Sequence, residues 1–134
     1  MENLLYTCVQ IAHLFGAVAV VGSPIAGWWL ENRKLVVRGL AFVALLGWLV
    51  QGASGIGFAA TSYFLKGALP EVTGIALGAL LVKVLATVFG STAAALIWRK
   101  GPNWQSRSKI MLWQSLVIVA FAALMAAAFL RWYL

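Results

Sequence analysis

A chain of 134 residues is long enough for one small domain, but 63% hydrophobic residues against 10% charged leave too little polar surface to face water. Long apolar runs, seven tryptophans and thirteen dispersed glycines exclude a disordered chain, a collagen-like repeat and a nucleic-acid-binding module, so the net charge of +7 needs another explanation. Cys8 is the only cysteine, which rules out an intrachain disulfide or a multi-cysteine metal site.

Apolar stretches run approximately over 4–30, 36–64, 73–98 and 110–132, each at least as long as the roughly 20 residues a helix needs to cross hydrocarbon. No basic region precedes the first of them and more apolar sequence follows it, so it reads as a retained span instead of a cleaved signal. The stretches are continuously apolar and lack the alternation of a β-barrel strand, and a backbone in lipid must satisfy its own hydrogen bonds. The fold class is therefore all-α: a single transmembrane domain built as a four-helix bundle. Pro24 falls inside the first stretch, where it predicts a kink. Leu69-Pro70-Glu71 ends the second connection, and Gly101-Pro102-Asn103 makes the third a turn.

Arg33, Lys34 and Arg38 gather around the first connection, and Arg99, Lys100, Arg107 and Lys109 around the third, whereas the second offers Lys66 and Glu71. The positive-inside rule places the first and third connections in the cytoplasm and both termini on the outer side. Trp28, Trp29, Trp98 and Trp104 flank the same basic connections, at headgroup level, and Trp132 with Tyr133 marks the opposite face. Topology and contact with anionic lipid thus account for the positive charge. The expected partners are the lipid bilayer and a larger membrane complex or further copies of the chain, with no nucleic acid.

Two ionisable residues stand out inside the spans, His13 in the first and Lys83 in the third. Each precedes a tryptophan at the basic end, Trp28 and Trp98, by the same 15 residues, or about 22 Å of helix. They are expected at matched depth, in the outer half. On the antiparallel second span that level falls near Gln51, Gly52, Ser54 and Gly55, where small residues admit a backbone or a flat ligand. Tyr6, Gln10 and His13 form one polar stripe at helical spacing, and Lys83, Thr87 and Ser91 form another. A lysine facing lipid near mid-membrane costs about 2.5–3.5 kcal/mol, which favours both stripes facing inward. Blander roles compete: Lys83 can snorkel to headgroups, His13 can simply bond a neighbouring helix, and the glycines, Gly74 and Gly78 included, can serve packing alone.

A histidine can ligate haem iron or another metal, His13 being the candidate here, with its second ring nitrogen held by a partner such as Gln10 or a backbone carbonyl. Since His13 is the only histidine, a bis-histidine cytochrome cannot form within one chain. Lys83 then serves as a neutral axial amine or as a cation paired with a propionate. Scattered Met1, Met111, Met125 and Cys8 argue against a dedicated copper site. Glu2, Glu31 and Glu71 all sit at span ends, so neither a carboxylate relay nor a hydrolytic nucleophile and base pair is present.

The histidine in IAHLFGAVAVVG, the basic residue opening VVRGLAFVALLGWLVQGASGIG and the lysine in GIALGALLVKVLATVFG together give the chain its family likeness. It resembles the copper-resistance D and HemJ-like group of small four-helix membrane proteins over nearly its whole length. By that resemblance His13 and Lys83 take the functional histidine and lysine of HemJ-type protoporphyrinogen oxidases, and b-type haem is the implied cofactor. The chain departs from that family after the histidine: where the family typically continues with an aromatic, arginine-bearing end to the first helix, this chain reads GSPIAGWWLENRK, and it has no second histidine. The leading expectation is a protein of the bacterial inner membrane that binds haem or another redox ligand through His13, Lys83, Gln10, Gly52 and Gly55, alone or as an accessory subunit of a redox complex. A purely structural helical subunit ranks second and a HemJ-like oxidase third.

Overall fold

The computed structural model describes residues 2–133. It consists of four α-helices, α1 (Glu2–Trp29), α2 (Lys34–Lys66), α3 (Ile75–Lys100) and α4 (Ser106–Tyr133), with one 3₁₀ turn (Gly101–Asn103) before α4 and no strand among the described residues. All four are long and apolar enough to cross a membrane. Two of the helices, α2 and α4, overrun the apolar stretches at both ends, because intrahelical hydrogen bonding continues past the first charged residue, while α1 starts two residues early and ends one short, at Trp29. Basic residues in the last turns of α2, α3 and α4 suit the negative end of the helix dipole. The helix α3 starts at Ile75, two residues later than expected: Gly74 takes a left-handed φ of 58° and turns the chain into the helix. At the other side of that connection Gly67, with φ 71°, closes α2 by donating its N–H to the Tyr63 carbonyl. Pro24 does not end α1; it lies fully buried inside it.

Consecutive helices pack against one another and α4 returns to α1, so the four form a ring with α1 diagonal to α3. One end of the ring carries the first and third connections and most of the cationic side chains; it is called here the basic end, and the opposite one the terminal end. Between helices in lipid there is no hydrophobic drive, and close packing must do the work. It is concentrated in two buried clusters. Near the basic end Val37, Ala41, Ala93, Ile97, Trp113 and Leu116 pack together, and towards the middle Val20, Ala44, Trp48, Ala86, Ala94 and Ala120 do so.

Both buried tryptophans lie on glycines. A Cβ on Gly27 would stand 2.6 Å from the Trp113 ring, and one on Gly90 would overlap the Trp48 indole. The absence of a side chain there lets an indole fill the space between helices. At the basic end Lys109 is buried and donates to the Glu31 carbonyl at 3.0 Å, with the Glu31 carboxylate 3.8 Å from its Nζ. This ties the connection after α1 to the start of α4.

Candidate functional site

Above the mid-bundle cluster, towards the terminal end, the interior turns polar. The cause is local. Gly16 on α1 lies against Gln51 and the Gly47 carbonyl, and Gly47 on α2 lies against Ala19 and Val20, so the two backbones run close together. At that separation the Gln51 side chain reaches across and donates from Nε2 to the His13 carbonyl at 2.6 Å. One turn further along α2, Ser54 Oγ lies 2.6 Å from His13 Nδ1, and Phe58 meets the imidazole edge-on at 5.8 Å between ring centroids. Gln51, Ser54 and Phe58 follow the i, i+3, i+7 spacing of one helix face.

From the diagonal helix Lys83 extends its side chain inward and brings Nζ to 3.3 Å from His13 Nε2. Thr87, one turn below, donates to the Lys83 carbonyl at 2.9 Å. The matched depth read from the two tryptophan spacings therefore brings the imidazole and the amine into contact. Lys83 does not run to the headgroups.

With Lys83 as the ammonium, the donor inventory gives this chain one direction. A lysine ammonium has only donors, so His13 Nε2 accepts; a neutral imidazole then carries its proton on Nδ1, which donates to Ser54 Oγ. The Ser54 hydroxyl passes its own hydrogen to the Gln51 carbonyl, 3.2 Å away. Every link is satisfied with one imidazole tautomer, and the Nε2 lone pair points into the bundle.

Lys83 has no carboxylate partner among the described residues. Glu31 is engaged at the basic end, Glu71 lies in the connection after α2, and Glu2 precedes His13 by 11 residues, about 16 Å along α1. An ammonium with three hydrogens thus faces a single neutral acceptor.

The remaining expected site residues divide. Gln10 is exposed and does not hold His13: the imidazole faces α2, and Ser54 takes that role. Helix geometry explains the correction, since a residue three positions away on the same helix lies beside the ring while α2 lies in front of it. Gly52 faces α3, where a Cβ would meet the Thr87 methyl at 3.3 Å, so it serves the α2–α3 approach next to Lys83. Gly55 has nothing within 4 Å of where its Cβ would stand, leaving open space one residue from Ser54. Gly74 and Gly78 do not pack either; both face open space. Sequence reasoning placed Ser54 and Gln51 at the right level but gave neither a hydrogen bond to His13, and it overlooked Gly16 and Gly47, whose small-residue spacing across α1 and α2 was the available signal.

No group of three or more His, Cys, Asp or Glu that could hold a metal occurs among the described residues. The donor set does fit a haem that would be held through one histidine. One imidazole nitrogen is anchored by a hydroxyl, as ligating histidines require, and the other ends on an amine whose long stem can swing away. His13 would hold the iron, and Lys83 would serve as a second ligand or receive an acid group. Comparison of the chain with family models, curated proteins and solved structures finds no match.

Proposed function

We propose that this chain is a small integral protein of the bacterial inner membrane, with both termini outside, that binds haem or another redox ligand between His13 and Lys83, alone or as an accessory subunit of a membrane redox complex. The observation that carries the reading is the 3.3 Å approach of Lys83 Nζ to His13 Nε2 across the bundle diagonal, with His13 Nδ1 fixed by Ser54. Two ionisable side chains on opposite helices are costly in lipid and are kept together for binding or transfer more readily than for packing. The resemblance to the copper-resistance D and HemJ-like group supports the same pair. Haem, when bound, supplies one-electron chemistry; the chain supplies an oriented imidazole, an amine and a dry surrounding.

The test is an absorption spectrum of the protein purified in mild detergent. A Soret band present in the wild type and lost in His13→Ala is the expected result; a fully folded wild type with no band, even after haem is added, overturns the haem reading. Oxidation of protoporphyrinogen by the haem-loaded protein would place it with the HemJ-like enzymes. Topology is tested separately by Asn103→Cys in a Cys8→Ser background, because Cys8 is a free, exposed cysteine. Labelling at position 103 from the cytoplasmic side is expected, and labelling solely from outside overturns the orientation.

A second reading has its own observation. In its most apolar 18-residue stretch α1 is 11% buried within the bundle, against 33% for that of α2, so α1 offers the broadest surface to other helices. A structural subunit would use that surface and need no cofactor; its mark is stable incorporation into a larger complex by a His13→Ala variant that binds nothing.

A further inference from the structure

Resting on the ligand reading above, we propose that the ligand carries an acid group and that Lys83 is its receiver, exchanging the imidazole of His13 for that acid when the ligand enters. The argument begins from donors and acceptors. Lys83 Nζ has three hydrogens, and His13 Nε2 accepts one of them. The other polar groups nearby are already committed: Ser54 to the Gln51 carbonyl, Gln51 Nε2 to the His13 carbonyl, and Thr87 to the Lys83 carbonyl. The site is thus rich in donors and short of acceptors, and no carboxylate of the described residues balances the ammonium. A cationic or donor-bearing ligand finds no partner here, whereas a carboxylate supplies both the missing acceptors and the missing charge.

The same geometry makes the two events one. The Nε2 lone pair that must face a metal is the one Lys83 now covers, so ligation at His13 requires Lys83 to leave, and a departing ammonium in a membrane needs an anion to go to. No proton moves in the exchange: the ammonium keeps its three hydrogens, one passes from the imidazole to the acid as a hydrogen bond, and Nδ1–H remains on Ser54 Oγ. Lys83 is a positioning and binding residue in this account, not a catalytic one.

The experiment compares haem b with its dimethyl ester, in which both acid groups are blocked and the iron is unchanged, by titrating each into the detergent-purified full chain and following the Soret band. The wild type is expected to bind the free acid about tenfold to a hundredfold more tightly than the ester, the range of a charge-assisted hydrogen bond. Lys83→Met is expected to bind both forms with equal affinity while retaining the Soret band given by His13, and Lys83→Arg to restore the preference. Equal affinities in the wild type overturn the acid proposal and leave the haem reading intact, as does a preference that survives Lys83→Met. No band with either porphyrin in a folded wild type removes the haem reading and the present inference with it. Lys83→Arg gives a check independent of folding defects in the methionine variant, since it keeps the cation.

Discussion

The two halves of this bundle solve the problem of holding helices together in lipid in different ways. Towards the basic end the helices meet through size complementarity: Trp113 seats on Gly27, Trp48 on Gly90, and Ile97, Val37 and Leu116 are fully enclosed. Towards the terminal end the fully enclosed large side chains stop. What joins the helices there is a hydrogen-bonded line running from α3 through the imidazole of α1 to α2. A jigsaw interior tolerates little change in shape, whereas a polar line is held by a few directional bonds. The difference is that between a frame and a site, and it places the adaptable chemistry in the half with fewer packing constraints.

The sharpest way to break that comparison is at the foot of the frame. Lys109→Met leaves the buried Glu31 carboxylate without its cation and is expected to cost about 3 kcal/mol. Denaturation in mixed micelles would read this, with Glu31→Gln/Lys109→Met recovering most of the loss; a single variant as stable as wild type would show that the pair fastens nothing. Next, Gly90→Ala forces the α2 and α3 backbones apart around Trp48 and should destabilise by about 1–3 kcal/mol in the same assay. A smaller effect is expected at the site. Ser54→Ala removes the acceptor from His13 Nδ1 and should cost about 1 kcal/mol of stability, with a larger proportional effect on ligand retention because the imidazole is then free to turn. The smallest is Gly55→Ala, whose new methyl meets only open space; stability should stay within about 0.5 kcal/mol of wild type. A loss at Gly55 as large as that at Gly90 would erase the distinction between the two halves.

Much of the frame was legible in the residues. Four apolar runs of spanning length leave a backbone in lipid no option but helices, and Trp28 and Trp98 act as depth marks from which the matched depth of His13 and Lys83 follows by arithmetic, though not their contact. Boundaries were less legible, because hydropathy ends where charge begins while α2 continues to Lys66 and α4 begins at Ser106. The partner of His13 was misread for a related reason. Periodicity along one helix groups Gln10 with His13, but it carries no information about which neighbour stands in front of the ring, and Ser54 lies 41 residues away in the chain. Seats such as Gly90 under Trp48 escape sequence reading altogether, since which tryptophan faces which glycine depends on the rotation of two helices about their axes.

Five of the seven tryptophans sit near the helix ends, where Trp29 and Trp132 are more than four-fifths exposed, while Trp48 and Trp113 are sealed between helices with their indole N–H groups unpartnered. The chain therefore carries two built-in optical probes of its interior. Brominated acyl chains should quench the fluorescence of the outer indoles and spare the sealed pair, so the emission that survives quenching monitors the closure of the frame.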